Sequence, residues 1–113
     1  MDSLNNLFDN INLNCSVDEY DNLKELSNDV EYHVRNNIDL HLDLYTSSVG
    51  KINYLYGKIN LDKSYDDNSG LNYNINLLKR LFIEFFNTVD YNKQVRLIHA
   101  IFSRIILIID NYS

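Results

Sequence analysis

The groups able to do chemistry in this chain of 113 residues are few: three histidines, one cysteine and an excess of carboxylates. His33 lies four residues after Asp29, and His41 stands between Asp39 and Asp43, so imidazole and carboxylate could approach on helices and recruit a metal. Local spacing does not assemble the closed four-ligand or open three-ligand geometry that zinc takes, and no metal is expected. His99 sits at the edge of an apolar stripe with no nucleophile assignable to it, which suits a partly buried side chain better than a general base. Cys15 has no second cysteine, which excludes an intrachain disulfide and the cysteine-rich zinc sites, and favours a reducing compartment. The run Asp66-Asp67-Asn68-Ser69-Gly70 has the outline of a calcium loop, but the glycine falls one position early and Leu77 stands where the closing glutamate belongs. Glycine occurs only at 50, 57 and 70, which leaves no phosphate-cradling loop, and neither a nucleophile elbow nor a zinc-protease helix is present. No catalytic residue and no cofactor is assigned, and the chain is not expected to be an enzyme.

Binding chemistry is better represented. The net charge is −6, and it is unevenly spread: residues 1–50 carry ten acids against two bases, whereas 51–113 carry six acids against eight bases. An acidic half repels phosphate backbones and attracts cationic surfaces, so direct nucleic-acid binding is not expected and a basic protein partner is. The plainer reading of the same charge is a surface that keeps the protein soluble. Nine tyrosines accompany the carboxylates in a chain without tryptophan. Tyr20, Tyr45 and Tyr56 fall on apolar stripes, while Tyr32, Tyr54, Tyr65, Tyr73 and Tyr91 fall off them. Exposed tyrosine beside carboxylate is suited to gripping Lys- and Arg-rich surfaces. The residues expected to bind a partner are Asp18, Glu19, Asp21, Glu25, Asp29, Glu31, Tyr32, Asp39 and Asp43.

The elements that must position these groups read mainly as helices. Pro is absent and Gly rare, whereas sheet-rich folds need more turn residues. Leu4, Leu7, Phe8 and Ile11 follow one helical face, with Asp2 or Ser3 as cap. Ser16 and Glu19 have the form of a capping box that opens a second helix along Tyr20, Leu23, Leu26, Val30 and Val34. Residues 62–70 read as a loop. Beyond it Leu71, Ile75, Leu78, Leu81, Phe82, Phe85 and Val89 form one stripe, and Asp90 can cap a last helix whose apolar residues cover about half its circumference.

Residues 38–61 fit two periods. Ile38, Leu42, Tyr45, Val49, Ile52, Tyr56 and Ile59 step by three and four as on a helix, with Leu40, Leu44 and Leu55 on the opposite face, so that the element would be buried on two sides or form an interface. Ile38, Leu40, Leu42 and Leu44 also alternate with polar residues, which would suit a hairpin. The helical pattern runs longer and is preferred. The expected fold is all-α, a small single-domain bundle of four to five helices over 1–113, with an α+β fold carrying a hairpin at 38–61 as the alternative. The N-terminus lacks a basic segment followed by an apolar one, and the longest apolar run, 97–109, is broken by His99, Ser103 and Arg104, so no membrane partner and a cytoplasmic location are expected.

Two functions from different classes fit these features. The first is a small acidic inhibitor of the immunity or antitoxin kind that neutralises a basic partner, such as a nuclease toxin, by occluding its active site. The second is a viral or mobile-element helical adaptor that modulates its host through an apolar groove or a homodimer interface.

Overall fold

The computed structural model describes residues 17–62 and 69–112. Among them stand four helices and no strand: α1 (Val17–Arg35), α2 (Leu42–Lys58), α3 (Ser69–Asn87) and α4 (Tyr91–Tyr112). The all-α bundle expected from the sequence is therefore the fold, and the hairpin alternative at 38–61 is excluded by α2. The helix expected over residues 4–11, the cap at Ser16, Cys15 and most of the 62–70 loop lie outside the described residues. Ser69 and Gly70 belong to α3, which opens two residues before the first apolar residue of its stripe.

α4 is the axis of the bundle. It packs most extensively against α3 and then α1, with a smaller contact to α2. Val95, Leu97, Ile98, Ile101, Phe102, Ile105, Ile108 and Ile109 are all buried along it. So many β-branched side chains weaken a helix in isolation, and burial of their broad arc is what stabilises it here. α3 presents Leu71, Ile75, Leu78, Phe82 and Phe85 to this core. Val89, expected on the same stripe, is 98% exposed because α3 ends at Asn87. Thr88 organises the turn instead: its Oγ1 accepts from Asp90 N at 3.3 Å and its carbonyl from Gln94 Nε2 at 3.1 Å. α4 then opens with Gln94 N donating to Asp90 O. At the other end of the pair, Asn74 is buried and accepts from Arg104 Nη1 at 2.8 Å, while its Nδ2 donates to Gly70 O at 2.8 Å and to Tyr112 Oη at 3.3 Å. Each polar group of that buried amide is thus answered.

α2 is helical as expected, but its buried face differs from the expected one. Ile38, Leu42 and Tyr56 are exposed, Leu42 to 77%. The core face is Leu44, Ser48, Ile52, Leu55 and Ile59, joined by Leu40 from the preceding segment. Leu40, Leu44 and Leu55 are accordingly spent on the protein's own core and supply no second face. Ser48 is the reason the pattern misleads: it is fully buried in the middle of the apolar stripe, and among the described residues its Oγ has no hydrogen-bond partner. An unanswered buried hydroxyl is costly, and serine is a poorer helix former than alanine. Ser48→Ala is expected to raise the unfolding free energy by about 1–2 kcal/mol in urea titrations. A loss of stability would mean that the hydroxyl is answered in solution.

The connection from α1 to α2 is closely specified. Ile38 N donates to His33 O at 2.9 Å and Asn37 N to Val34 O at 3.4 Å, a Schellman closure. It needs a left-handed residue, and Asn37 supplies it with φ 54°. His41 then caps α2, its Nδ1 accepting from Leu44 N at 3.2 Å. His41→Ala should cost about 1 kcal/mol of stability, whereas His41→Asp should keep the cap or strengthen it; equal melting temperatures for the three proteins would remove the cap from the account.

Candidate protein-binding surface

α1 turns Leu23, Ser27 and Val30 into the core, with Tyr20, Leu26 and Val34 half-buried beside them. The helical period carries Asp18, Asp21, Glu25 and Asp29 to the opposite side, where all four are exposed. Among the described residues none of these four carboxylates takes an ion pair with a base. Tyr32, 60% exposed, continues the same face toward the helix C-terminus, its ring edge-on to His33 at 5.6 Å. Asp18 lies in the first turn, where the helix dipole favours it. Asp21, Glu25 and Asp29 follow one another at i,i+4, so their like charges act against the helix.

The other expected binding residues are placed differently. Glu19 is half-buried and accepts from Tyr54 Oη at 3.4 Å, and Glu31 is bridged to Arg35 at 3.1 Å. Asp39 and Asp43 are exposed but leave α1 altogether, Asp39 in the connecting segment and Asp43 in the first turn of α2. The structure therefore brings five of the nine together on one helix face and sets the other four on its flank or beyond its end. Neighbouring cations are turned toward rings: Lys24 Nζ lies 5.5 Å from the Tyr20 ring centroid, and Lys51 and Lys58 lie 5.5 and 5.8 Å from that of Tyr54.

Tyr20 fastens the N-terminal part of this helix to the end of α4, its hydroxyl donating to Asp110 Oδ1 at 2.5 Å. Burial, and then that carboxylate, push the phenol up to about 12. The folded protein thus holds this proton more tightly than the unfolded chain, whose tyrosine titrates near 10. The stabilisation is complete below about pH 10 and is lost as pH rises toward 12. Tyr20→Phe should flatten the fall in stability across that window, and curves for the two proteins that stay parallel between pH 9.5 and about 12 would contradict it.

Two features escaped the sequence. Tyr56, expected at the core edge, is 42% exposed and packs at 5.0 Å, its ring tilted by 52°, against Phe86, itself 46% exposed, with Ile83 also exposed on α3. Tyr91, expected on the surface, is half-buried, and its hydroxyl accepts from Leu40 N at 2.8 Å. Beside Tyr91, a cleft of about 420 Å³ opens between the end of α1, the connecting segment and the first turn of α4. The rings of His33 and His41 meet at 5.9 Å, each with Nδ1 already hydrogen-bonded to the backbone. Among the described residues no group of three or more His, Cys, Asp or Glu is arranged to hold a metal, and no helix is long and apolar enough to cross a membrane.

No protein-family model, curated protein or solved structure matches the chain.

Proposed function

We propose that this protein acts by binding another protein, as a small acidic inhibitor of the immunity or antitoxin kind. Its partner is a basic enzyme of the cytoplasm, such as a nuclease toxin, whose active site it occludes. The observation that carries the reading is the outer face of α1, where Asp18, Asp21, Glu25 and Asp29 stand exposed and without ion pairs among the described residues. Three of them repel one another along the helix, a cost that a merely soluble surface has no need to bear. A cationic partner converts that repulsion into attraction, accelerates encounter and displaces the phosphate backbone that the partner would otherwise hold. No catalysis by the chain itself is required.

The test is affinity capture of host proteins on the immobilised chain, beside a variant in which all four carboxylates become amides. One basic protein, retained at low salt, released at high salt and missing from the variant, is the expected result. Equal capture by both proteins, or no capture, overturns the reading.

A second reading draws on the Tyr56–Phe86 pair and Ile83, which give α2 and α3 an exposed apolar strip. Such a strip suits an adaptor or a second copy of the chain. Binding through it would resist salt, and would be lost in Phe86→Ser while surviving in the amide variant.

A further inference from the structure

The side chain that caps α2 can hold its hydrogen bond only while it is neutral. We propose that the junction between α1 and α2 is a pH-sensitive switch, in which protonation of His41 releases the first turn of α2. The inference is independent of the partner that the acidic face meets.

His41 caps α2 from an extended backbone, with φ −68° and ψ 160°, and its Nδ1 accepts from Leu44 N at 3.2 Å. The neutral ring therefore carries its hydrogen on Nε2, and its one acceptor nitrogen is taken up by the cap. An added proton has only Nδ1 to go to. Imidazolium is donor-only, so the bond from Leu44 N is lost in the same step. A cation is then left at a helix N-terminus, where the macrodipole opposes it. Leu40 and Leu44, on either side of the cap in sequence, are both buried, so fraying of this turn uncovers apolar core.

His33 responds in the opposite way. Its Nδ1 lies 2.7 Å from Asp29 O, and a carbonyl can only accept, so Nδ1 is the donor and Nε2 is the open position. Protonation leaves that bond in place and puts the charge in the last turn of α1, where the dipole favours it. The two rings meet edge-on at 5.9 Å, so once both are charged they repel across the junction.

The other charged groups about the junction are Asp39 before the cap, Asp43 in the first turn of α2 and, on α4, Arg96, which lines the same cleft as His33 and Asp39. All three are exposed, as is His41. The two carboxylates favour a proton on the ring and Arg96 opposes it. They govern how readily the proton binds, not what it displaces.

Amide hydrogen exchange of the isotope-labelled full chain can be followed by NMR at about pH 7.5 and about pH 5, the span over which histidine changes charge, with each rate taken relative to an unstructured chain at the same pH. The Leu44 amide should lose about five-fold of its protection at the lower pH, the scale of a lost N-cap. His41→Asp, whose carboxylate still accepts at that pH, should keep the protection at both values, and His41→Ala should lack it at both. His33→Gln should respond as the wild-type chain does. A Leu44 amide equally protected at the two pH values in the wild-type chain, ring nitrogen shifts that place the hydrogen of neutral His41 on Nδ1, or a response abolished in His33→Gln and retained in His41→Asp, overturns the proposal.

Discussion

Phe102→Ala is expected to lower the unfolding free energy by about 3–5 kcal/mol, the largest stability effect of any single substitution considered for this fold. Phe102 is fully buried on α4, the helix to which the other three are packed. Removing its ring loses the transfer free energy of the ring and leaves a cavity that the surrounding core can only partly close. Domains of this size hold about 5–15 kcal/mol in total, so the variant should unfold near ambient temperature or at low urea. Val89→Ala is the contrast: Val89 is almost wholly exposed, and its truncation should stay within about 0.5 kcal/mol of the parent. Comparable costs for the two would mean that α3 continues through Val89 and that its apolar stripe packs as the sequence pattern implies.

Glu25→Lys is expected to act with opposite signs on stability and on binding. Glu25 stands between Asp21 and Asp29, four residues from each, on the exposed side of α1. Reversing its charge turns two repulsions into two attractions, each pair being worth about 0.2–0.5 kcal/mol, so the free protein should gain about 1 kcal/mol. The same change puts a cation in the middle of the surface proposed to meet a cationic partner. Association with the captured partner should slow by about ten-fold or more at low salt, since charge steering contributes 10–10³ to such rates. A variant that is more stable and binds less well identifies the carboxylate stripe as a functional feature retained against stability. If the variant is stabilised and binds its partner undiminished, the acidic face is a solubilising surface and nothing more.

What the sequence disclosed depended on how far apart the cooperating residues lie. The arc of α4 was plain, because Val95 through Ile109 repeat the pattern over several turns without a polar interruption on the buried side. That Asp18, Asp21, Glu25 and Asp29 share a face follows from spacing within one helix, but the sequence reading grouped them with Glu19 and Glu31, which the same period carries to the flank. The face of α2 was not legible. Ser48 interrupts the stripe of Leu44, Ile52 and Leu55, and hydropathy cannot show that a small hydroxyl is buried where no large side chain stands. Val89 was misplaced because the period continues past Asn87 although the chain does not, with Thr88 closing the turn. Tyr91 and the cleft beside it were out of reach for another reason. They join residues from α1, the connecting segment and α4, some fifty positions apart, as in the hydrogen bond from Leu40 to Tyr91. His41 gave no signal either, since histidine is not among the residues that usually cap helices.

The measurement that bears most directly on the acidic face of α1 is the association rate of the chain with its captured partner, followed by stopped flow from about 0.01 M to 1 M salt. Over that range the screening length shrinks from roughly 30 Å to 3 Å. If the α1 carboxylates steer a cationic partner, the rate should fall by about ten-fold or more and the decline should flatten in Glu25→Lys. A rate that barely changes with salt, alike in both proteins, would contradict the role of the acidic face and leave the apolar strip around Tyr56 and Phe86 as the surface that binds.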